Sequence, residues 1–176
     1  MVSDELKEKQ YYPIVKRALE IEFGAKGYYF LDFVVLGNKR SIPDRFLMSP
    51  FLVGCQKKGI LPIPDVIGLV SVRKDDPHKK LVIGEFKIKP TFKDIFQTKD
   101  YDELFNADYS YLIGGFPITK SRKNTIEYIK NRKDILKTKS GSSEIMIVFL
   151  QGSKEDPSLA VLGSEWGILP DHINRP

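Results

Sequence analysis

Apolar residues recur with two different periods along the chain, and each change of period marks a boundary between elements. Tyr12, Val15, Leu19 and Phe23 fall at helical spacing, with Ile14 and Ala18 widening the stripe, which predicts a helix over 4–23. Pro13 is tolerated only in a first turn or at a kink, so this helix is expected to restart or bend there. Residues 28–36, Tyr-Tyr-Phe-Leu-Asp-Phe-Val-Val-Leu, read as a strand. Two further apolar runs, Ile-Pro-Asp-Val-Ile-Gly-Leu-Val (63–70) and Leu-Val-Ile-Gly-Glu-Phe-Lys-Ile (81–88), flank a polar, proline-containing stretch at 73–80. That combination predicts a β-hairpin. Residues 37–63 show no clean period, carry three prolines and three glycines, and are read as an insertion between the first strand and the hairpin. Thr91 and Asp94 then sit at N-cap and capping-box positions of a helix running to about 105. A strand at 107–113 ends at Gly114-Gly115, a basic helix is expected over about 119–137, and a last apolar strand over 144–151. The tail, 152–176, has turn residues at both ends and a short apolar middle.

The hairpin carries charges in places where charge is expensive. Asp65 follows Pro64 inside one apolar run, and Glu85 and Lys87 flank Phe86 inside the other. Buried charges need a partner or a metal. A turn centred near Asp75 places Asp65 opposite Glu85 or Lys87, and alternation sends Glu85 and Lys87 to one face with Val82, Phe86 and Ile88 on the other. Opposed side chains have Cβ atoms about 5 Å apart, so two carboxylates and an ammonium converge. Adjacent carboxylates invite a hard divalent cation. A metal held there lowers the pKa of bound water and stabilises phosphoryl charge, and a neighbouring lysine can orient that water.

Pro64-Asp65 with Glu85-Phe86-Lys87 resembles the signature of the PD-(D/E)XK nuclease superfamily: Pro-Asp, then Glu or Asp, any residue, Lys. The order helix, strand, hairpin, helix, strand over about 5–115 is similar to that superfamily's core. The resemblance implies an α/β domain of restriction-endonuclease-like fold, a mixed central sheet flanked by helices. It implies metal-dependent hydrolysis of phosphodiester bonds in DNA, with Asp65 and Glu85 holding Mg²⁺ or Mn²⁺ and Lys87 serving the attacking water. Gln97 and Tyr101, one helical turn apart and on a different side from Phe92, Ile95 and Phe96, resemble the Gln-x-x-x-Tyr motif of the RecB-like branch. By that resemblance Gln97 would hydrogen-bond near the scissile phosphate or the lysine, and Tyr101 would help fix the DNA. The superfamily also adds an acid from its first helix. Glu8, in Glu-Lys-Gln-Tyr-Tyr-Pro, is the preferred candidate, with Glu22 near the centre of the apolar stripe as the other. The plain alternative is an ion-paired hairpin in an unrelated domain. A second functional reading is a non-catalytic nucleic-acid-binding or assembly module that keeps this fold.

Length and composition narrow the picture. The 176 residues are read as one domain, and 28 Lys+Arg against 23 Asp+Glu give a net charge of +5, suited to a polyanionic partner. The excess is local: 119–139 holds eight basic residues against two acidic, a net +6, with Lys130, Arg132 and Lys133 as candidate phosphate contacts and Tyr128 able to stack on a base. The lone Cys55 excludes a disulfide framework and a four-cysteine cluster within the chain. With only His78 and His172, a histidine-based zinc site or catalytic triad is not expected. Gly114-Gly115 lacks the Lys-Ser/Thr of a phosphate loop, and Pro43-Asp44 has no hairpin partner. Trp166 is read as a packing residue. The charged first residues show no secretory h-region, and no run reaches membrane-span length. A soluble cytoplasmic protein is therefore expected, with no membrane partner and a homodimer left open.

Overall fold

The structure is a computed structural model that describes residues 8–37, 39, 41–115, 133–137 and 144–161. Among them, three α-helices flank one six-stranded mixed sheet. In chain order the elements are α1 (Tyr12–Ala25), β1 (Phe30–Val35), a 3₁₀ turn (Asp44–Phe46), α2 (Pro50–Lys57), β2 (Val66–Ser71), β3 (Lys80–Lys87), α3 (Phe92–Phe105) and β4 (Tyr109–Gly114). A second 3₁₀ turn (Lys133–Leu136), β5 (Met146–Gly152) and β6 (Pro157–Val161) complete the set. The strands lie side by side in sequence order. Neighbours β1–β2, β2–β3 and β5–β6 run antiparallel, whereas β3–β4 and β4–β5 run parallel. A parallel step needs a crossover, and α3 provides the one between β3 and β4.

The sheet buries both faces, which is why β2 and β4 read as continuous apolar runs instead of alternating ones. On one face α1 lays Val15, Ala18, Leu19 and Phe23 against Phe33, Val70, Val82, Phe86, Tyr111 and Val148. This helix touches both outermost strands, β1 and β6, so the sheet wraps around it. Pro13 occupies its first turn, where its missing N–H is harmless. On the other face, Ile67, Leu69, Leu81 and Ile83 meet Phe46, Leu52, Tyr101 and Phe105. Each fully buried Leu, Ile or Phe stabilises by roughly 1.5–3 kcal/mol, so the two cores hold the sheet from both sides.

Several expectations need amendment. The segment 37–63, read as irregular, contributes α2 and the first 3₁₀ turn, and its Ile42, Phe46, Leu47, Leu52 and Leu61 build the second core. The hydroxyl of Ser49 accepts from Leu52 N at 3.3 Å, and Pro50 opens the helix: an N-cap signal hidden by the weak periodicity. The tail contains β6, paired with β5 through Phe149↔Ala160 and Leu150↔Leu159. The basic run was expected to stay helical to 137, yet Lys133–Leu136 is a 3₁₀ turn and Lys137 bridges to Glu144. The remainder of that run, with Lys130, Arg132 and Tyr128, lies outside the described residues, as do Trp166 and His172.

Candidate active site

The hairpin register decides the site. β2 and β3 pair as Val66↔Gly84, Ile67↔Ile83 and Gly68↔Val82, so the turn is centred on Asp75. One residue before the start of β2, Asp65 comes alongside Glu85. Asp65 is held there by its own carbonyl, which accepts from Leu36 N at 2.8 Å. Alternation places Val82 and Phe86 with α1, and Leu81 and Ile83 with α2 and α3. Glu85 and Lys87 share the second side, as the spacing predicted.

At this end of the sheet the two layers meet. Lys87 Nζ lies 2.8 Å from Glu85 Oε1, 3.8 Å from Asp65 Oδ2 and 4.0 Å from Glu8 Oε2. Glu8 precedes α1 by one turn and so arrives from the first layer. Gln97 arrives from the second: its Nε2 donates to Glu85 Oε1 at 3.0 Å and reaches the Tyr101 hydroxyl at 3.0 Å. The helix carrying them is fixed in rotation at both ends. Asp94 Oδ2 accepts from Thr91 N at 2.6 Å and from Thr91 Oγ1 at 2.7 Å, the Ser110 hydroxyl meets Asp102, and Asn106 closes the helix at φ 50°.

Each sequence-predicted residue of the hairpin and of α3 is thus brought to one place, and Glu8 joins them. Glu22 does not. It lies about 15 Å along α1 from Tyr12 by helical rise and pairs with Lys26 at 2.6 Å. Tyr101 is buried, 7% exposed, and its hydroxyl donates to Ile63 O at 3.2 Å. That bond ties α3 to the segment delivering Pro64 and Asp65. The sequence reading missed Tyr12, which was placed only in the apolar stripe. Its hydroxyl donates to Asp65 Oδ1 at 3.0 Å, while Phe86 N donates to Asp65 Oδ2 at 2.9 Å. The signal is present in the sequence: Tyr12 lies one helical turn from Glu8, the preferred first-helix acid.

Burial dominates the electrostatics. Glu85 is 3% exposed, and burial together with the charge of Asp65 pushes its carboxyl up to about 7 against the pull of Lys87. Burial also raises Asp65 and Glu8, with Lys87 opposing in both. For Lys87 burial works against the ammonium, but Glu85, Asp65 and Glu8 outweigh it and hold the charge on. With all four groups ionised, three carboxylates face one ammonium and the cluster is net −2. Glu85 Oε2 is buried and has no hydrogen-bond partner among the described residues.

This donor set fits a divalent cation: hard oxygens, two excess negative charges and an orphaned carboxylate oxygen. Among the described residues no group of three or more His, Cys, Asp or Glu side chains forms a ready cage. The fit is therefore to an ion held by two carboxylates and completed by water and substrate, as Mg²⁺ favours. No family model, curated protein or solved structure matches this chain.

Proposed function

We propose that this protein is a metal-dependent nuclease of PD-(D/E)XK type that hydrolyses phosphodiester bonds in DNA. One observation carries the proposal: Asp65, Glu85 and Lys87, separated by up to 22 residues in sequence, meet at one end of the sheet within 3.8 Å of the Lys87 ammonium. Asp65 and Glu85 would hold Mg²⁺ or Mn²⁺, and a bound ion of this kind supplies a water of lowered pKa and charge stabilisation for phosphoryl oxygens. Lys87 stays protonated beside three carboxylates, so it acts as a fixed positive charge that orients the attacking water and steadies the phosphate. Glu8, reaching the same ammonium, shares in holding it. Gln97 keeps Glu85 aimed at the cleft by occupying Oε1. The +6 run at 119–139 supplies the polyanion-binding charge. The mixed sheet flanked by helices would then be a restriction-endonuclease-like fold.

A specific observation favours a second reading. The Lys87 ammonium already neutralises part of the cluster, as it would in a non-catalytic nucleic-acid-binding module that keeps the fold. Incubation with plasmid, linear duplex, single-stranded and branched DNA in Mg²⁺ and in Mn²⁺ separates the two. Cleavage that disappears with chelator, with Asp65→Ala and with Lys87→Ala is expected, and Lys87→Ala should keep near wild-type DNA affinity because its work lies in the transition state. DNA binding without cleavage of any of these substrates would establish the non-catalytic reading. Cleavage unchanged in Lys87→Ala would place the active site elsewhere.

A further inference from the structure

Asp65 lies just before the first paired residue of β2, so strand pairing does not set its side-chain direction. Two hydrogen bonds do. Phe86 N fixes Oδ2 from within the hairpin, and the Tyr12 hydroxyl fixes Oδ1 from α1 at 3.0 Å. The tyrosine is itself immobilised. Its ring lies 9% exposed, edge-on to Phe86 with centroids 6.1 Å apart. Its other side is closed by Gly37: a Cβ there would stand 2.7 Å from Tyr12 Cε2. Gly37 has φ +47°, a conformation that disfavours side chains, and follows Leu36, whose N–H binds the Asp65 carbonyl. The backbone and the carboxylate of Asp65 are therefore clamped by one contiguous unit of Leu36, Gly37 and Tyr12.

We propose that Tyr12 is a positioning residue: by occupying Oδ1 it holds the Asp65 carboxylate in one orientation, with Oδ2 turned toward Lys87 and the cleft. Tyr12 works on Asp65 alone and touches no reacting atom. The proposal rests on the nuclease-type reading only for what Asp65 would bind; the clamp itself rests on the hydrogen bonds. A side chain that orients a metal-binding carboxylate typically changes affinity 10–100-fold when it is removed.

Tyr12→Phe keeps the ring and deletes only the hydroxyl. Mn²⁺ affinity should fall about tenfold by titration calorimetry, with the melting temperature followed alongside. A merely structural tyrosine would lower the melting point and leave Mn²⁺ affinity alone. A second readout needs no metal: if Asp65 swings when Oδ1 is released, the Phe86 amide loses its acceptor, and its hydrogen exchange in Tyr12→Phe should accelerate relative to neighbouring β3 amides. Wild-type Mn²⁺ affinity in Tyr12→Phe overturns the proposal. If the unaltered protein binds no Mn²⁺, the metal-dependent reading fails on its own. The clamp is then judged by the Phe86 amide, where faster exchange upholds it and unchanged exchange overturns it.

Discussion

Glu85→Gln should remove a large part of the pH dependence of folding stability between about pH 4.5 and 7. The folded protein holds the Glu85 carboxyl at about 7 because of its burial and the nearby Asp65 charge, against 4.5 for the ordinary group. Between those values the native state binds more protons than the unfolded chain, so stability falls as pH rises through the window. Each tenfold change in proton affinity corresponds to about 1.4 kcal/mol, so the full interval amounts to about 3 kcal/mol. Asp65 and Glu8 are raised in the same direction and add to the slope. Lys87 does not enter: its folded pKa is raised, so its contribution is lost only in strongly alkaline solution. Urea unfolding followed by circular dichroism at pH 5, 6, 7 and 8 gives the slope for both proteins. The unaltered protein should lose stability over this range, and the glutamine variant should be flatter by up to about 3 kcal/mol. Equal slopes would refute the argument, since they would mean that Glu85 is not the group being forced to ionise in an apolar setting. Saturating Mg²⁺ should likewise reduce the slope in the unaltered protein, because a bound divalent ion favours the ionised carboxylate.

Two further outcomes follow from particular residues. Gly37→Ala should destabilise by about 1–3 kcal/mol, read by urea unfolding, because φ +47° disfavours a side chain and the new Cβ meets the Tyr12 ring; wild-type stability would show that the ring can move aside at no expense. Reversing Lys130, Arg132 and Lys133 to Glu should weaken DNA binding equally for all sequences and lower the slope of log affinity against log salt by roughly one unit for each lost phosphate contact. An unchanged salt slope would show that this charge run is a solvated surface.

The sequence by itself determined the hairpin and the charged residues it brings together. The turn at 73–80 and the alternation around Glu85 and Lys87 put Asp65 opposite Glu85 or Lys87, and the observed register chose Glu85. The capping residues Thr91 and Asp94 likewise set the start of α3, and with it the phase that turns Gln97 and Tyr101 toward the site. These features were legible because local spacing and short-range hydrogen bonds fix them. Tertiary structure decided the rest. That Glu8 reaches Lys87 whereas Glu22 pairs with Lys26 depends on which end of α1 lies beside Asp65 and Lys87, which no periodicity encodes. The roles of Tyr12 and Gly37 exist only because a helix, a loop and a strand end meet across sequence separations of 25 to 53 residues. The layer built by 37–63 was invisible for a related reason. Its apolar residues answer to the curved face of β1, β2 and β3, not to a period of their own, so only the assembled sheet gives them a pattern.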